Sequence, residues 1–347
     1  MKIKICAPDI YPYDAVGNHC LGIARMCDRI GIEARLYAQN FPPNNSLIHE
    51  ISELNQDISQ DDLLLVIYST YDPLLDQLLR FPGKKICYFH GVTDPELLID
   101  YDPETSILCK KAISQLPKLS LFDHILVNSK YTNKSLSPFI SMEPTVIPPI
   151  FGDMPIFSRP VINSNQVRKE TTLLVVGRVV PHKKIEDAIS LLSDIRNLGY
   201  DYTMAVVGPT PNLTYSKYLF NYARDHGVLD SLIFTGRVTN EDLFNLYQNS
   251  KSFLSMSQHE GFCVPVVEAM HFGLPIFVHE GTAAQETAGN AGILLGNCGD
   301  LNNLITITSI LDSPSQVSIQ SQKGTERKKI ILESISDYAW NNLFALL

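Results

Sequence analysis

Along the first part of the chain, short β-branched and aliphatic runs alternate with stretches whose apolar positions recur at helical spacing. KIKICA, EARLYA, DLLLVIYS, KKICYFH, HILVNS and TVIPP read as strands. Between the first two, Cys20, Ile23, Ala24, Cys27 and Ile30 recur at helical spacing, and Gly31 supplies the stop. Strands alternating with helices predict a parallel, doubly wound α/β domain over residues 1–150. The stretch 151–170 changes character, because Pro155, Pro160 and the Asn163-Ser164-Asn165 cluster interrupt any period, and it reads as a linker.

The alternation then restarts. TTLLVVG reads as a strand, a helix is expected from about Lys184 to Leu198, YTMAVVG follows as a strand, and a second helix is expected from about Tyr215 to Asp225. LIFTG, the helix EDLFNLYQ and the strand SFLSMS complete a second Rossmann-like domain over 171–334, with helical composition at Asn302–Leu311 and Ser315–Ile335. The end of the chain, SDYAWNNLFALL, places the only tryptophan, Trp340, in an amphipathic helix over 335–347.

Composition narrows the function. A chain of 347 residues with 45% hydrophobic content fits two domains, each able to bury its own core. With 28 basic and 37 acidic side chains and no basic block, nucleic-acid binding has no support. Seven scattered cysteines with no C-x-x-C pair fit reduced thiols. The start, MKIKICAPDIYPY, lacks a signal-peptide core, and the longest apolar run, Leu63–Tyr68, is too short to span a bilayer, so a soluble cytoplasmic protein is expected.

Candidate chemistry concentrates between Ser257 and Leu295. Glu260 and Glu268 stand eight positions apart, Pro265 falls at a helix start, Gly273 closes that helix, and Ile276–Val278 is β-branched. Glu260 is therefore expected in a loop and Glu268 on the helix behind it. A helix start offers unpaired N–H groups to an anion, and a carboxylate one turn in accepts hydrogen bonds from vicinal hydroxyls. Upstream, a strand ends in Gly177-Arg178, and Lys183 and Lys184 open the next helix. An arginine at the carboxyl end of a parallel strand and a nearby lysine suit a diphosphate whose charge grows as it leaves.

These elements together resemble retaining glycosyltransferases of the GT-B architecture, the E-x7-E type of glycosyltransferase group 1. The resemblance implies two Rossmann-like domains facing across a cleft, the second holding a nucleoside-diphosphate-sugar donor and the first the acceptor, with the last helix packing back on the first. It implies that Arg178 and Lys183, or Lys184 by a one-residue loop shift, hold the donor pyrophosphate. Glu268 would bind the ribose hydroxyls, Glu260 would lie nearer the transferred sugar, and the backbone of Gly261, Phe262 and Cys263 would lie along sugar and phosphates. Many relatives carry glycine where this chain has Cys263. In the first domain, the resemblance places His90, at the end of KKICYFH, beside the donor sugar; Gly17 is one of two glycines that relatives pair at the first helix, and it would admit backbone N–H groups to the donor phosphate or the acceptor.

The implied reaction is transfer of a sugar to a hydroxyl with retention, in surface polysaccharide or lipopolysaccharide assembly, with a saccharide or lipid-linked acceptor. Competing readings are a nucleotide-sugar epimerase, a glycan phosphorylase and an inert nucleotide-sugar-binding partner subunit. Asp100 and Asp102 form a D-x-D pair, but Pro103 follows and a helix-capping role is expected. No metal or organic cofactor is expected, since two cations already meet the leaving-group charge. Lys110, Lys111 and Lys118 are candidates for peripheral contact with anionic lipid, against an ordinary solvated face.

Overall fold

The computed structural model describes residues 2–12, 14–56, 58–151, 153–158 and 171–346. It divides into two compact units. The first gathers the chain up to Pro95, then Thr105–Asp153 and the end of the chain from Ile331; the second holds Glu96–Glu104 and Met154–Ile330.

In the first unit, β1 (Ile3–Asp9), β2 (Ala34–Asn40), β3 (Ile48–Glu50), β4 (Leu63–Tyr68), β5 (Lys84–Phe89), β6 (His124–Val127) and β7 (Thr145–Val146) form one sheet in the order β3-β2-β1-β4-β5-β6-β7. All neighbours are parallel, with Ile3 opposite Ala34 on one side and Leu63 on the other. All six side chains of β4 are buried because helices cover both faces of such a sheet. Even Lys4 is fully buried, its Nζ 3.7 Å from Asp62. The three-residue β3 was not expected: only Ile48 of its residues is buried, so it lacks an apolar run.

The terminal helix, Asp337–Leu346, belongs to this first unit. Trp340 and Phe344 join the core formed with helix Ala15–Arg29, and the Trp340 ring stacks on Tyr88 at 6.2 Å. Arg29 grips Asp337 with two hydrogen bonds of 2.8 and 2.6 Å. Burial of a complete indole face is the dominant attraction here, since the ion pair is exposed.

In the second unit, β8 (Thr172–Val176), β9 (Thr203–Val207), β10 (Leu232–Gly236), β11 (Ser252–Ser255), β12 (Ile276–His279) and β13 (Gly292–Leu295) take the order β10-β9-β8-β11-β12-β13. The chain builds outward from β8 to β10, then returns to lay β11 against the other side of β8. That reversal opens a crevice at the carboxyl ends of β8 and β11, where doubly wound sheets bind ligands. The same reversal lies between β1 and β4.

Residues 96–104 belong with the second unit, which the strand pattern did not indicate. Tyr101 packs 5.1 Å from both Tyr215 and Tyr218, and Asn212 Nδ2 donates to its carbonyl at 2.6 Å. Of the expected linker, 152 and 159–170 lie outside the described residues; Pro155–Ser158 forms a single helical turn.

Backbone bonds from Gly177 N to Val207 O and from Gly208 N to Gly236 O close the ends of β8, β9 and β10. Gly208 has φ +145°, and a Cβ there would lie 2.1 Å from the Gly177 carbonyl oxygen. Gly208→Ala should therefore destabilise the protein by about 2 kcal/mol or more, read as a lower denaturant midpoint, because it adds overpacking to an unfavourable backbone angle.

Candidate functional site

The second unit's site grows from two strand ends. β8 runs into Gly177 and Arg178, and after a loop a short 3-10 turn, Pro181–Lys183, leads into helix Ile185–Asn197. β11 runs through Ser257 and Glu260 into helix Val264–His271. Because β8 and β11 are neighbours, these loops meet. Gln258 N donates to His182 O at 2.9 Å, and the Ser257 hydroxyl shares its proton between the same carbonyl, at 3.3 Å, and His259 O, at 3.0 Å. Lys183 Nζ donates to Glu260 Oε1 at 2.6 Å. Val176, Gly177, Arg178, Lys183, Ile185 and Ser255 line one depression over these strand ends.

The charges there are uneven. Arg178 is exposed and makes no hydrogen bond or ion pair among the described residues, so its guanidinium is available to an anion. Lys183 is largely covered and held by a buried carboxylate. His182, buried under both, has its pKa lowered well below the ordinary value, first by burial and then by Lys183, His259 and Arg178. The corner thus keeps an imidazole neutral and favours an incoming anion. Lys184 takes another direction: its backbone is left-handed, at φ 50°, and its Nζ lies 3.4 Å from Glu186, which also accepts from the Tyr215 hydroxyl. Of the two lysines, Lys183 is the one that lines the depression.

Glu260 lies in the loop and Glu268 inside the helix. Glu268 is buried and accepts from the Tyr247 hydroxyl at 2.6 Å. Burial raises its pKa to about 7, and the phenol bond pulls it partly back. Tyr247 stacks flat on Phe272, at 5.2 Å and 5°, so the donor oxygen is fixed by ring packing. Cys263, the position where the resemblance led to an expectation of glycine, keeps a backbone suited to glycine, with φ 73°. Its thiol is buried beside Glu260, and burial followed by that carboxylate raises its pKa. The Phe262 carbonyl accepts from Thr287, which turns the chain of Gly261–Cys263 toward helix Ala283–Ala288.

Sequence reading passed over three residues of this arrangement. His182 carries the carbonyl that joins the loops, although it stands in the PHKK stretch; Tyr247 stands in EDLFNLYQ; Gly208 closes a second VVG strand end like Gly177. The repeated VVG was a usable signal, whereas nothing local marks Tyr247 as the partner of Glu268.

In the first unit, His90 follows β5; its N–H donates to Tyr68 O at 2.8 Å, and its carbonyl accepts from Asn128 Nδ2 at 3.1 Å. Its Nε2 lies 2.8 Å from Nδ1 of the buried His19. Loss of hydration takes the His90 pKa down to about 3. Gly17 differs from the expectation. It lies within helix Ala15–Arg29, where its N–H reaches Asp14 Oδ2 at 3.4 Å, and a Cβ would sit 1.9 Å from the Tyr11 carbonyl oxygen. Close packing of the helix start under Tyr11 is what requires glycine there, and the N–H is not left for a phosphate.

Lys118 pairs with Asp76 at 2.7 Å and the Lys111 ammonium lies over Tyr71 at 5.6 Å. Among the described residues no group of three or more His, Cys, Asp or Glu side chains is arranged to hold a metal ion, and no helix is long and apolar enough to cross a membrane.

Residues 161–320 match the family described as glycosyl transferases group 1. The chain is 28% identical over 153 residues to the 2-deoxystreptamine glucosyltransferase of Streptomyces kanamyceticus, covering 44% of this chain and 39% of that protein. It is 33% identical over 103 residues to the GDP-mannose:cellobiosyl-diphosphopolyprenol alpha-mannosyltransferase of Komagataeibacter xylinus, covering 30% and 26%. The matched stretches thus span well under half of these relatives. In fold, the chain is similar to WaaG, a glycosyltransferase involved in lipopolysaccharide biosynthesis (TM-score 0.70, 14% identity, 94% of this chain and 95% of that one). It is also similar to Anabaena HepE in complex with UDP and glucose (TM-score 0.72, 15% identity, 99% and 98%). Two parallel sheets in these strand orders, with these neighbours, make the fold GT-B.

Burial of Glu268 has a measurable sign. A folded-state pKa of about 7 against 4.5 means that the folded chain holds a proton the unfolded chain has released. Its stabilising contribution is present below pH 4.5 and is lost as pH rises through about 7, on the order of 3 kcal/mol in all. Glu268→Gln, which still accepts from Tyr247, should flatten the fall in melting temperature between pH 5 and 8, measured by calorimetry.

Proposed function

We propose that this chain, whose residues 161–320 match the glycosyl transferases of group 1 and whose fold is GT-B, moves a sugar from a nucleoside-diphosphate-sugar to a hydroxyl acceptor with retention. The observation that carries this reading is the convergence of Arg178 and Lys183 on one depression at the strand-order reversal, with Glu260 bonded to Lys183. The diphosphate lies against Arg178 and Lys183. Glu268 accepts from the ribose hydroxyls with the carboxylate oxygen that Tyr247 does not occupy.

In the reaction, the bond between the anomeric carbon and the diphosphate oxygen breaks, and its electron pair stays on the diphosphate. The acceptor oxygen bonds to the anomeric carbon on the same face, and its proton passes to the departing diphosphate. Arg178 and Lys183 absorb the charge that grows on the leaving group, so no metal ion is needed. Lys183, already neutralised by Glu260, gains a stronger partner as that charge develops, which favours the transition state over the bound donor. Work on a saccharide or lipid-linked acceptor of surface polysaccharide or lipopolysaccharide, at the inner face of the cytoplasmic membrane, is in keeping with relatives named for such reactions.

A thermal-shift panel of nucleoside diphosphates and nucleotide-sugars identifies the donor, because selective binding to the folded state raises its melting temperature. With that donor, Arg178→Ala, Lys183→Ala and Glu268→Ala should each lower nucleoside-diphosphate release to acceptor at least about tenfold, while Asp102→Ala stays within about twofold. Unchanged turnover in all three variants overturns the assignment. Turnover abolished by a chelator and restored by a divalent ion overturns the metal-independent step.

A further inference from the structure

Two histidines meet in the first unit with more order than the sugar contact expected of His90 requires. His19 lies on helix Ala15–Arg29, is 1% exposed, and places Nδ1 2.8 Å from His90 Nε2. A bond of that length between neutral rings needs one proton, carried by one ring or the other. Which ring carries it decides what the remaining nitrogen of each can do.

The choice is made on the far side of His19. Its Nε2 is buried without a hydrogen-bond partner, and so is Nε1 of Trp340, whose ring centroid lies 5.9 Å away at 67°. Indole nitrogen only donates. Were His19 protonated at Nε2, a second buried N–H beside that of the indole would lack an acceptor, each with a desolvation penalty. With Nε2 bare, the indole N–H is the one unsatisfied donor of the two rings. The nearby Tyr88 hydroxyl donates to Ile147 O at 2.6 Å and is a hydrogen-bond partner of neither nitrogen. Asn128 is likewise committed, through Nδ2 to the His90 carbonyl and through Oδ1 to the Thr132 hydroxyl.

We infer that His19 is a positioning residue that fixes His90 as the tautomer protonated at Nδ1. His19 then donates from Nδ1 to His90 Nε2, and the only lone pair of the His90 ring is spent inside the protein. His90 presents an N–H, so it acts on a ligand as a hydrogen-bond donor and not as a proton acceptor. Both rings stay neutral, since burial lowers each pKa and each cation would repel the other. That the recipient is a sugar oxygen rests on the proposed function; the tautomer does not.

Long-range proton–nitrogen correlation spectra of the ligand-free chain, labelled with nitrogen-15 histidine and assigned by single substitutions, read the tautomer directly. The expected spectrum shows His90 and His19 each protonated at Nδ1 and bare at Nε2. His90 protonated at Nε2 overturns the inference. His19→Leu should remove the single-tautomer signature, whereas His19→Asn, whose amide nitrogen reaches the place of Nδ1, should keep it. Loss in both variants, or retention in both, also overturns the role. Should the leucine variant fail to fold, the parent spectrum still decides. Because no donor is present, failure here is separate from failure of the glycosyl-transfer reading.

Discussion

The second unit depends on a join between two loops that leave adjacent strands. The ion pair of Lys183 with Glu260 and the two bonds to the His182 carbonyl hold the end of β8 against the end of β11. Without that join the crevice at the strand-order reversal would be a gap between mobile loops. With it, the exposed Arg178 guanidinium stands beside a fixed ammonium, and an anion arriving there meets charges that need little reorganisation.

Fixing such a site requires local conformations that the fold would not otherwise choose. Cys263 holds a left-handed backbone without being glycine, Lys184 does the same at the start of its helix, and Glu268 is buried at a raised pKa. Each is over-determined by surroundings: Cys263 by burial beside Glu260, Lys184 by the turn that sends Lys183 inward, Glu268 by a tyrosine clamped on Phe272. Among the described residues, the two non-glycine residues with a left-handed backbone both lie beside this candidate site, where such strain tends to gather.

The first unit shows the same economy in an apolar setting. Trp340 returns from the end of the chain to seal the core beside β5, and its packing also orders the polar pair His19 and His90. Trp340 and the candidate site residue His90 thus pack on one buried imidazole.

Much of this was legible in the letters. Parallel strands buried on both faces must be apolar runs, so all but two strands could be read from the chain; β3 was missed because its residues His49 and Glu50 are not apolar, and β13 because its four residues open on a glycine in a stretch with no alternation. Arg178, Lys183, Glu260 and Glu268 could be picked out because each stands at a strand end or helix start that the local pattern already marks. The partners were not legible. Lys183 finds Glu260 across 77 positions, His90 finds His19 across 71, and Tyr247 finds Glu268 from another helix. The turn of Lys183 into the depression and of Lys184 toward Glu186, the commitment of the Gly17 N–H to Asp14, and the transfer of residues 96–104 to the second unit were likewise decided by packing. Backbone periodicity is set by neighbours a few residues apart and can be read in order along the chain. Pairing depends on which strand ends the sheet order brings together, and only the folded chain fixes that.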